Sequence, residues 1–262
     1  MVSGSAGLAH FEGSSQGPNA IREESLLHAS FHRTEGGRLK TFVVNSHGPI
    51  DEMNIPFVDV GNEARANVTK KVSALMKKKQ FPIMLGGDHS LTYGALRGAP
   101  HVHKKIAIVY FDAHPDLRSS QAPGKKHYAT VLYDAVRLPE VSARNSIIVG
   151  MRDIEAEEFR NMREAKTPAL TSLDMERLGA QKTLAQIKKI IRGLPTYLSI
   201  DPDVLDPAFG PGVAVPSPGG LTGRELLYLV TGLANEQVVG MDIMEHTPDK
   251  DIQRMTAHFC AK

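Results

Sequence analysis

The chain has 262 residues, of which 41% are hydrophobic and 23% charged, and its formal net charge is +2. These values are typical of a globular protein, exclude a disordered chain and give no support for nucleic-acid binding. The single cysteine, Cys260, excludes an internal disulfide and any CxxC metal or redox motif. We find neither a signal peptide nor an apolar run of membrane-spanning length. We therefore expect a single domain over residues 1–262, located in the cytoplasm.

Short apolar runs alternate with amphipathic segments along the chain. Strands are predicted at 40–45, 83–85, 106–111, 146–149, 197–200 and 238–243. Helices are predicted at 64–79, 181–192 and 223–234, where apolar residues recur at helical spacing. The strands read as continuous apolar runs, which indicates burial on both faces. The alternation predicts an α/β fold with a mainly parallel sheet covered on both sides by helices.

Side chains of the metal-ligand type follow three of these strands, at the point where each strand ends. They are His89, Asp112, His114, Asp116, Asp201 and Asp203. Because ligands of parallel sheets bind beyond the carboxyl ends of the strands, we expect these side chains to meet. Several carboxylates buried together without a cation would be unstable. Mostly carboxylate ligands with some imidazole suit Mn²⁺ better than zinc, and two ions that share carboxylates would acidify a shared water.

Other polar residues near the strand ends allow several interpretations. Asp88 could be a ligand or could orient its neighbours, while Ser90 is a candidate helix cap and Asp206 a turn cap. His127, in the loop after the 112–116 segment, is a candidate acid or base. Glu245, after strand 238–243, could be a ligand, a structural acid or the anchor of a cationic substrate group.

Together these segments resemble the signature motifs of the ureohydrolases, the family of arginase and agmatinase. The matching segments are Gly-Gly-Asp-His-Ser at 86–90, Asp-Ala-His-Pro-Asp at 112–116 and Ser-Ile-Asp-Pro-Asp-Val-Leu-Asp-Pro at 199–207. Gly-Pro-Asn-Ala-Ile-Arg at 17–22 and Met-Asp-Ile-Met-Glu at 241–245 extend the resemblance over most of the chain. The resemblance implies a three-layer α/β/α sandwich that holds two Mn²⁺ ions, in a homo-oligomer that is often a trimer or a hexamer.

The resemblance also implies a role for each site residue. One ion would be held by His89, Asp112, Asp116 and Asp201, and the other by His114, Asp112, Asp201 and Asp203. Asp116 would accept a hydrogen bond from the ionised water that attacks the guanidino carbon. Glu245 would bind the guanidinium group, and His127 would pass a proton to the leaving amine. The products would be urea and a primary amine.

The substrate is expected to be a small guanidino or amidino compound. Agmatine is favoured, because segments 208–212 and 216–220 look more like agmatinase than arginase. However, segment 212–218 lacks the acidic residue usual in agmatinases, and Arg118, Lys125 and Lys126 precede His127 with no acid among them. These cations are either simply solvated or favour an anionic tail, as in a guanidino acid or N-formiminoglutamate.

Two further classes are considered. A binuclear phosphoesterase would also use clustered aspartates and histidines, but its GNH[DE] and late GHxH motifs are absent from the sequence. A metal-free regulatory relative would be expected to have lost at least one ligand, and the complete set of six argues against it.

Overall fold

A parallel sheet of six strands forms the centre of the structure. The computed structural model describes residues 13–27, 30–35, 38–43, 64–120, 127–234 and 236–262. The strands are β1 (Ser30–Glu35), β2 (Arg38–Val43), β3 (Ile83–Leu85), β4 (Ala107–Phe111), β5 (Ile147–Met151), β6 (Ala169–Thr171), β7 (Thr196–Ile200) and β8 (Val238–Ile243). The central sheet has the order β3-β8-β7-β4-β5-β6, and each of its pairs is parallel.

Helices cover both faces of this sheet. They are α1 (Gly17–Leu27), α2 (Ala64–Lys77), α3 (Thr92–Gly98), α4 (Val131–Ala135), α5 (Ala156–Ala165), α6 (Ser172–Ile191), α7 (Gly223–Leu233) and α8 (Met255–Cys260). On one face Val72 of α2 joins a buried cluster with Ile108 of β4. On the other face Ile187 of α6 and Leu229 of α7 join a second cluster with Val109. All five residues of β4 are buried, as the continuous apolar run predicts.

Two predictions about the elements need correction, and some elements were not predicted. The strand predicted at 40–45 lies partly outside the described residues, and its described part belongs to β2, which pairs antiparallel with β1 outside the central sheet. The helix predicted at 181–192 begins earlier, at Ser172, and is interrupted at Gly179, whose φ of 74° is not helical. Strand β6 was missed, because Ala-Leu-Thr at 169–171 forms no continuous apolar run. Among the described helices, none combines the length and apolarity that crossing a bilayer requires.

Candidate active site

The carboxyl end of β4 supplies three of the predicted ligands. Asp112 follows the strand directly, and its Oδ1 accepts a hydrogen bond from the His114 backbone N–H at 2.6 Å. Asp116 has a φ of 49°, in the left-handed region that non-glycine residues seldom adopt. The backbone N–H groups of Leu132 and Tyr133 in α4 both donate to the Asp116 carbonyl at 3.1 Å, and so hold the turn. Buried strained residues of this kind are often found at functional sites.

The end of β7 is tied to the end of β4. Asp201 Oδ1 accepts from the Asp203 N–H at 2.8 Å, and Asp203 Oδ1 accepts from the Ala113 N–H at 2.9 Å. The Arg152 guanidinium donates to the backbone carbonyls of Asp203 and Ser217, both at 2.6 Å. These bonds fix both loops before any ligand binds. Separately, Asp206 accepts from the Ala208 and Gly219 N–H groups, so its interpretation as a turn cap is confirmed.

The segment after β3 carries His89 underneath the other ligands. A Cβ atom at Gly86 would lie 1.8 Å from Met244 Sδ, so a larger residue here would have to displace the Met244 side chain. The helix cap is Asp88 rather than Ser90, because the Asp88 carboxylate accepts from the Ser90 N–H at 2.9 Å. His89 is 0% exposed. The turn at 86–90 therefore places the His89 imidazole in the interior of the protein.

The structure brings the six predicted ligands together in two groups. His89 Nδ1 lies 3.2 Å from Asp112 Oδ2, 3.6 Å from Asp116 Oδ2 and 3.5 Å from Asp201 Oδ2. His114 Nδ1 lies 2.8 Å from Asp203 Oδ2 and 3.6 Å from Asp112 Oδ1. The sets His89, Asp112, Asp116 and Asp112, His114, Asp203 each present ligand atoms within 4.8 Å of one another. Asp112 belongs to both sets, one oxygen facing each histidine.

The ionisation of these groups reflects their crowding. Burial raises the pKa of Asp116, Asp201 and Asp203, and the negative charge of Asp112 raises each further. Burial disfavours the charged form of His114, but its bonds to Asp112 and Asp203 outweigh this effect and raise its pKa to about 12. Burial likewise works against ionised Asp112, but His114 and His89 beside it lower its pKa to about 2. Protons thus occupy part of this cluster when no cation does.

The donor set fits divalent cations. A metal–ligand distance of about 2.0–2.2 Å places neighbouring ligand atoms roughly 3–3.6 Å apart, which matches the separations around His89 Nδ1. Asp112 Oδ2 is buried and forms no hydrogen bond with any described residue, although His89 Nδ1 lies 3.2 Å from it. A buried carboxylate oxygen without a donor is costly, and a coordinated cation removes that cost.

Glu245 lies beside this cluster on a second strained turn. Its φ is 61°, and its Oε1 accepts from the His89 backbone N–H at 2.7 Å. Burial and then the charge of Asp201 raise the pKa of the Glu245 carboxyl well above its usual range. Glu245 lines the same cavity as Asp112 and Asp116. A cationic group in this cavity would favour ionised Glu245.

The cavity above the cluster has a volume of about 350 Å³. Its wall also contains Val213, Ala214 and Val215 of the 212–218 segment, and four residues that the sequence did not indicate for the site, namely Tyr128, Asp153, Glu155 and Glu158. Asp153 follows the end of β5 by two residues, so the strand-end rule could have found it. His127 precedes the short helix Tyr128–Thr130 and is half-buried, but it is not among the lining residues.

Comparison with known proteins identifies the family. A sequence model described as "Arginase family" matches residues 4–262. The chain belongs to the arginase family. The predicted membership is therefore confirmed, and with it the assignment as a hydrolase of a metal-dependent family.

Individual arginase-family relatives agree in sequence and in fold. Proclavaminate amidinohydrolase from Streptomyces clavuligerus is 32% identical over 246 residues, covering 92% of this chain and 77% of the relative. Agmatinase from Chromobacterium violaceum is 30% identical over 255 residues, covering 94% and 74%. The structure of agmatine ureohydrolase from Thermoplasma volcanium superimposes with a TM-score of 0.81 at 28% identity, covering 99% of this chain and 84% of the other. The predicted α/β sandwich of the arginase type is confirmed.

Proposed function

We propose that this protein cleaves the guanidino C–N bond of agmatine, or of a close analogue, to give urea and an amine. The observation that carries the proposal is the pair of ligand groups that share Asp112 on the wall of a cavity that also contains Glu245. Relatives named agmatinase and proclavaminate amidinohydrolase support a guanidino substrate.

We infer that two Mn²⁺ ions bind the two groups. The proposed ligands are His89, Asp112, Asp116 and Asp201 for one ion and His114, Asp112, Asp201 and Asp203 for the other. Four carboxylates and two imidazoles are hard and borderline donors, which favour manganese over a thiolate-seeking metal. Held by these residues, the two ions would acidify a water that could serve as the nucleophile.

Protein groups then orient the substrate and move its protons. We propose that Glu245 pairs with the guanidinium, because one of its oxygens is held by the His89 N–H and the carboxylate lines the cavity. Asp116 is proposed to accept a hydrogen bond from the nucleophile, and its Oδ2 already receives the Tyr110 hydroxyl at 2.6 Å. His127 remains the proposed proton donor to the leaving amine.

The mouth of the cavity supports a cationic rather than an anionic tail. The Arg118 guanidinium is paired with Glu155, so this cation is at least partly neutralised. Asp153 adds a further, mostly exposed carboxylate. Val213 and Val215 provide an apolar wall suited to a chain of methylene groups. An aliphatic linker that ends in an ammonium, as in agmatine, matches this lining.

A guanidino acid or N-formiminoglutamate is the second candidate. It is favoured by one observation, that Arg118 lines the cavity and could bind a carboxylate if it left Glu155. Lys125 and Lys126, which suggest the same tail in the sequence, lie outside the described residues.

Steady-state assays of the Mn²⁺-loaded protein test the proposal. Agmatine, guanidinobutyrate, arginine and N-formiminoglutamate are compared by kcat/KM, with urea and formamide measured separately. Agmatine is expected to give the highest kcat/KM and to release urea. If the enzyme prefers a compound with an anionic tail, the second candidate replaces agmatine. If none of the four compounds is hydrolysed while two ions are bound, the proposal is contradicted.

The oligomeric state and the cellular compartment of the enzyme are also proposed. We propose a homo-oligomer, a trimer or a hexamer, in the cytoplasm, with no nucleic-acid or membrane partner. Light scattering of the purified protein measures the assembly, and fractionation of the source cells tests the compartment.

A further inference from the structure

A row of three buried polar side chains lies one layer beneath the ligands. Tyr110 of β4 pairs in register with Ser199 of β7, and Ser199 pairs with Asp242 of β8. The three residues are 1%, 0% and 0% exposed, and none of them lines the cavity. Because strand residues two apart share a face, Tyr110 stands below Asp112 and Ser199 below Asp201. Buried polar groups at three adjacent positions require a structural or functional reason.

The row contacts His89 from two directions. Ser199 Oγ lies 2.8 Å from His89 Nε2. The Tyr110 ring stacks on the imidazole, with centroids 4.6 Å apart and an angle of 14° between the planes. The ring of His89 is therefore held at its rear nitrogen and across its face. Its Nδ1 faces the carboxylates of the site and lies 3.0 Å from the Tyr110 hydroxyl, whose proton is donated to Asp116.

A count of hydroxyl protons fixes the direction of these bonds. Ser199 Oγ donates to Asp242 Oδ1 at 2.7 Å, and Thr92 Oγ1 donates to Asp242 Oδ2 at 2.9 Å. A serine hydroxyl has one proton, so Ser199 can only accept from His89. His89 must then carry a hydrogen on Nε2, so in the neutral imidazole that binds a cation the lone pair lies on Nδ1, the nitrogen that faces the carboxylates.

We propose that Ser199 and Asp242 are positioning residues that hold His89 in its metal-binding tautomer and orientation, an inference that rests on the proposed metal centre. Asp242 orients the Ser199 hydroxyl, and Ser199 in turn orients the imidazole. Hydrogen-bond partners of metal-ligating histidines commonly act in this way.

The hydrogen bonds that link Asp242, Ser199 and His89 reach only one of the two ligand groups. His114, in the other group, is partly exposed, with its Nε2 3.8 Å from Asp153 Oδ2 and its Nδ1 2.8 Å from Asp203. Neither Ser199 nor Asp242 forms a hydrogen bond with His114. Loss of the Ser199 hydroxyl should therefore weaken one ion site and spare the other, which a general loss of stability would not do.

Titration of the metal-free protein with Mn²⁺ tests this asymmetry. Calorimetry gives the two affinities, and electron paramagnetic resonance distinguishes a coupled ion pair from a single ion. In Ser199→Ala we expect one affinity to fall by about 10–100-fold and the other to stay within about twofold. At one equivalent of Mn²⁺ the variant should show the spectrum of a single ion. Ser199→Thr, which retains a hydroxyl, should restore most of the lost affinity.

Ser146→Ala is the matched control. Ser146 is also buried, and its hydroxyl bonds to the Ser142 carbonyl and the Ile108 N–H, away from the site. Both Mn²⁺ affinities should be unchanged in this variant. Equal affinities in Ser199→Ala and Ser146→Ala, equal weakening of both sites, or no rescue by threonine would overturn the positioning role. Absence of Mn²⁺ binding to the wild-type protein would overturn the proposed metal centre as well.

Discussion

The deep end and the mouth of the cavity are built differently. At the deep end, His89, Asp112 and Asp116 are at most 5% exposed, and each is hydrogen-bonded or ion-paired within the cluster. At the mouth, the side chains of Arg118 and Glu155 are 44% and 55% exposed, and they pair with each other. The deep groups are fixed by the fold, whereas water screens the outer pair.

We expect the deep end to control metal binding and catalysis, and the mouth to control the choice of substrate. Removing one partner from a buried charged cluster leaves an uncompensated charge, which costs about 3–5 kcal/mol. Exposed ion pairs contribute far less, because solvent and salt screen them. We therefore expect substitutions at the deep end to abolish metal binding and catalysis, and those at the mouth to change only the preference among substrates.

The largest effect is expected from Asp112→Asn. This substitution removes the one carboxylate shared by both ligand groups, so the chain should retain less than one Mn²⁺ and kcat/KM should fall by at least about 10³-fold, equivalent to roughly 4 kcal/mol. Metal analysis and steady-state assays measure the two effects. Asp174→Asn, which alters an aspartate in the first turn of α6, is the control and should keep both ions. If Asp112→Asn kept two Mn²⁺ ions, the proposed difference between the deep end and the mouth of the cavity would be wrong.

An intermediate effect is expected from pH. The raised pKa values of His114 and Asp116 mean that the metal-free deep end holds protons near neutral pH, and these must leave when ions bind. Apparent Mn²⁺ affinity should therefore fall as pH is lowered from 8 to 6, by about tenfold per pH unit for each proton released. Calorimetry in buffers of different ionisation enthalpy counts these protons. Binding that is independent of both buffer and pH would show that the cluster is already deprotonated.

The smallest effect is expected from the mouth. Glu155→Gln should raise KM for agmatine about twofold to fivefold with kcat unchanged, because an exposed charge is screened. Arg118→Gln should lower KM for agmatine, since it releases Glu155 to the substrate ammonium. Glu157→Gln, in the same helix but outside the cavity lining, is the control. If Arg118→Gln instead raises KM for an anionic-tailed compound that the enzyme prefers, the mouth binds a carboxylate.

Much of the fold and the deep end could be predicted from the chain because the signals are local. The segments that become β4, β7 and β8 are mainly apolar; Asp112 and Asp201 follow β4 and β7 directly, and Glu245 follows β8 by two residues. The mouth was harder to predict. Glu155 is the N-cap of α5, where its backbone N–H donates to the Glu158 carboxylate at 3.0 Å, so its sequence context indicates only the start of a helix. Glu155 pairs with Arg118, which lies 37 residues earlier in the chain, because β4 and β5 are neighbours in the sheet.

By itself the sequence determined the alternation of elements, the residues at the strand ends and the family to which they belong, since periodicity and short motifs are properties of neighbouring residues. Only the tertiary structure decided that strand order brings β3, β4 and β7 to one rim, that Ser199 and Asp242 stand beneath His89, and that Arg118 is paired with Glu155. These relations depend on register between distant strands, and that register is set by packing of the whole sheet rather than by any local pattern.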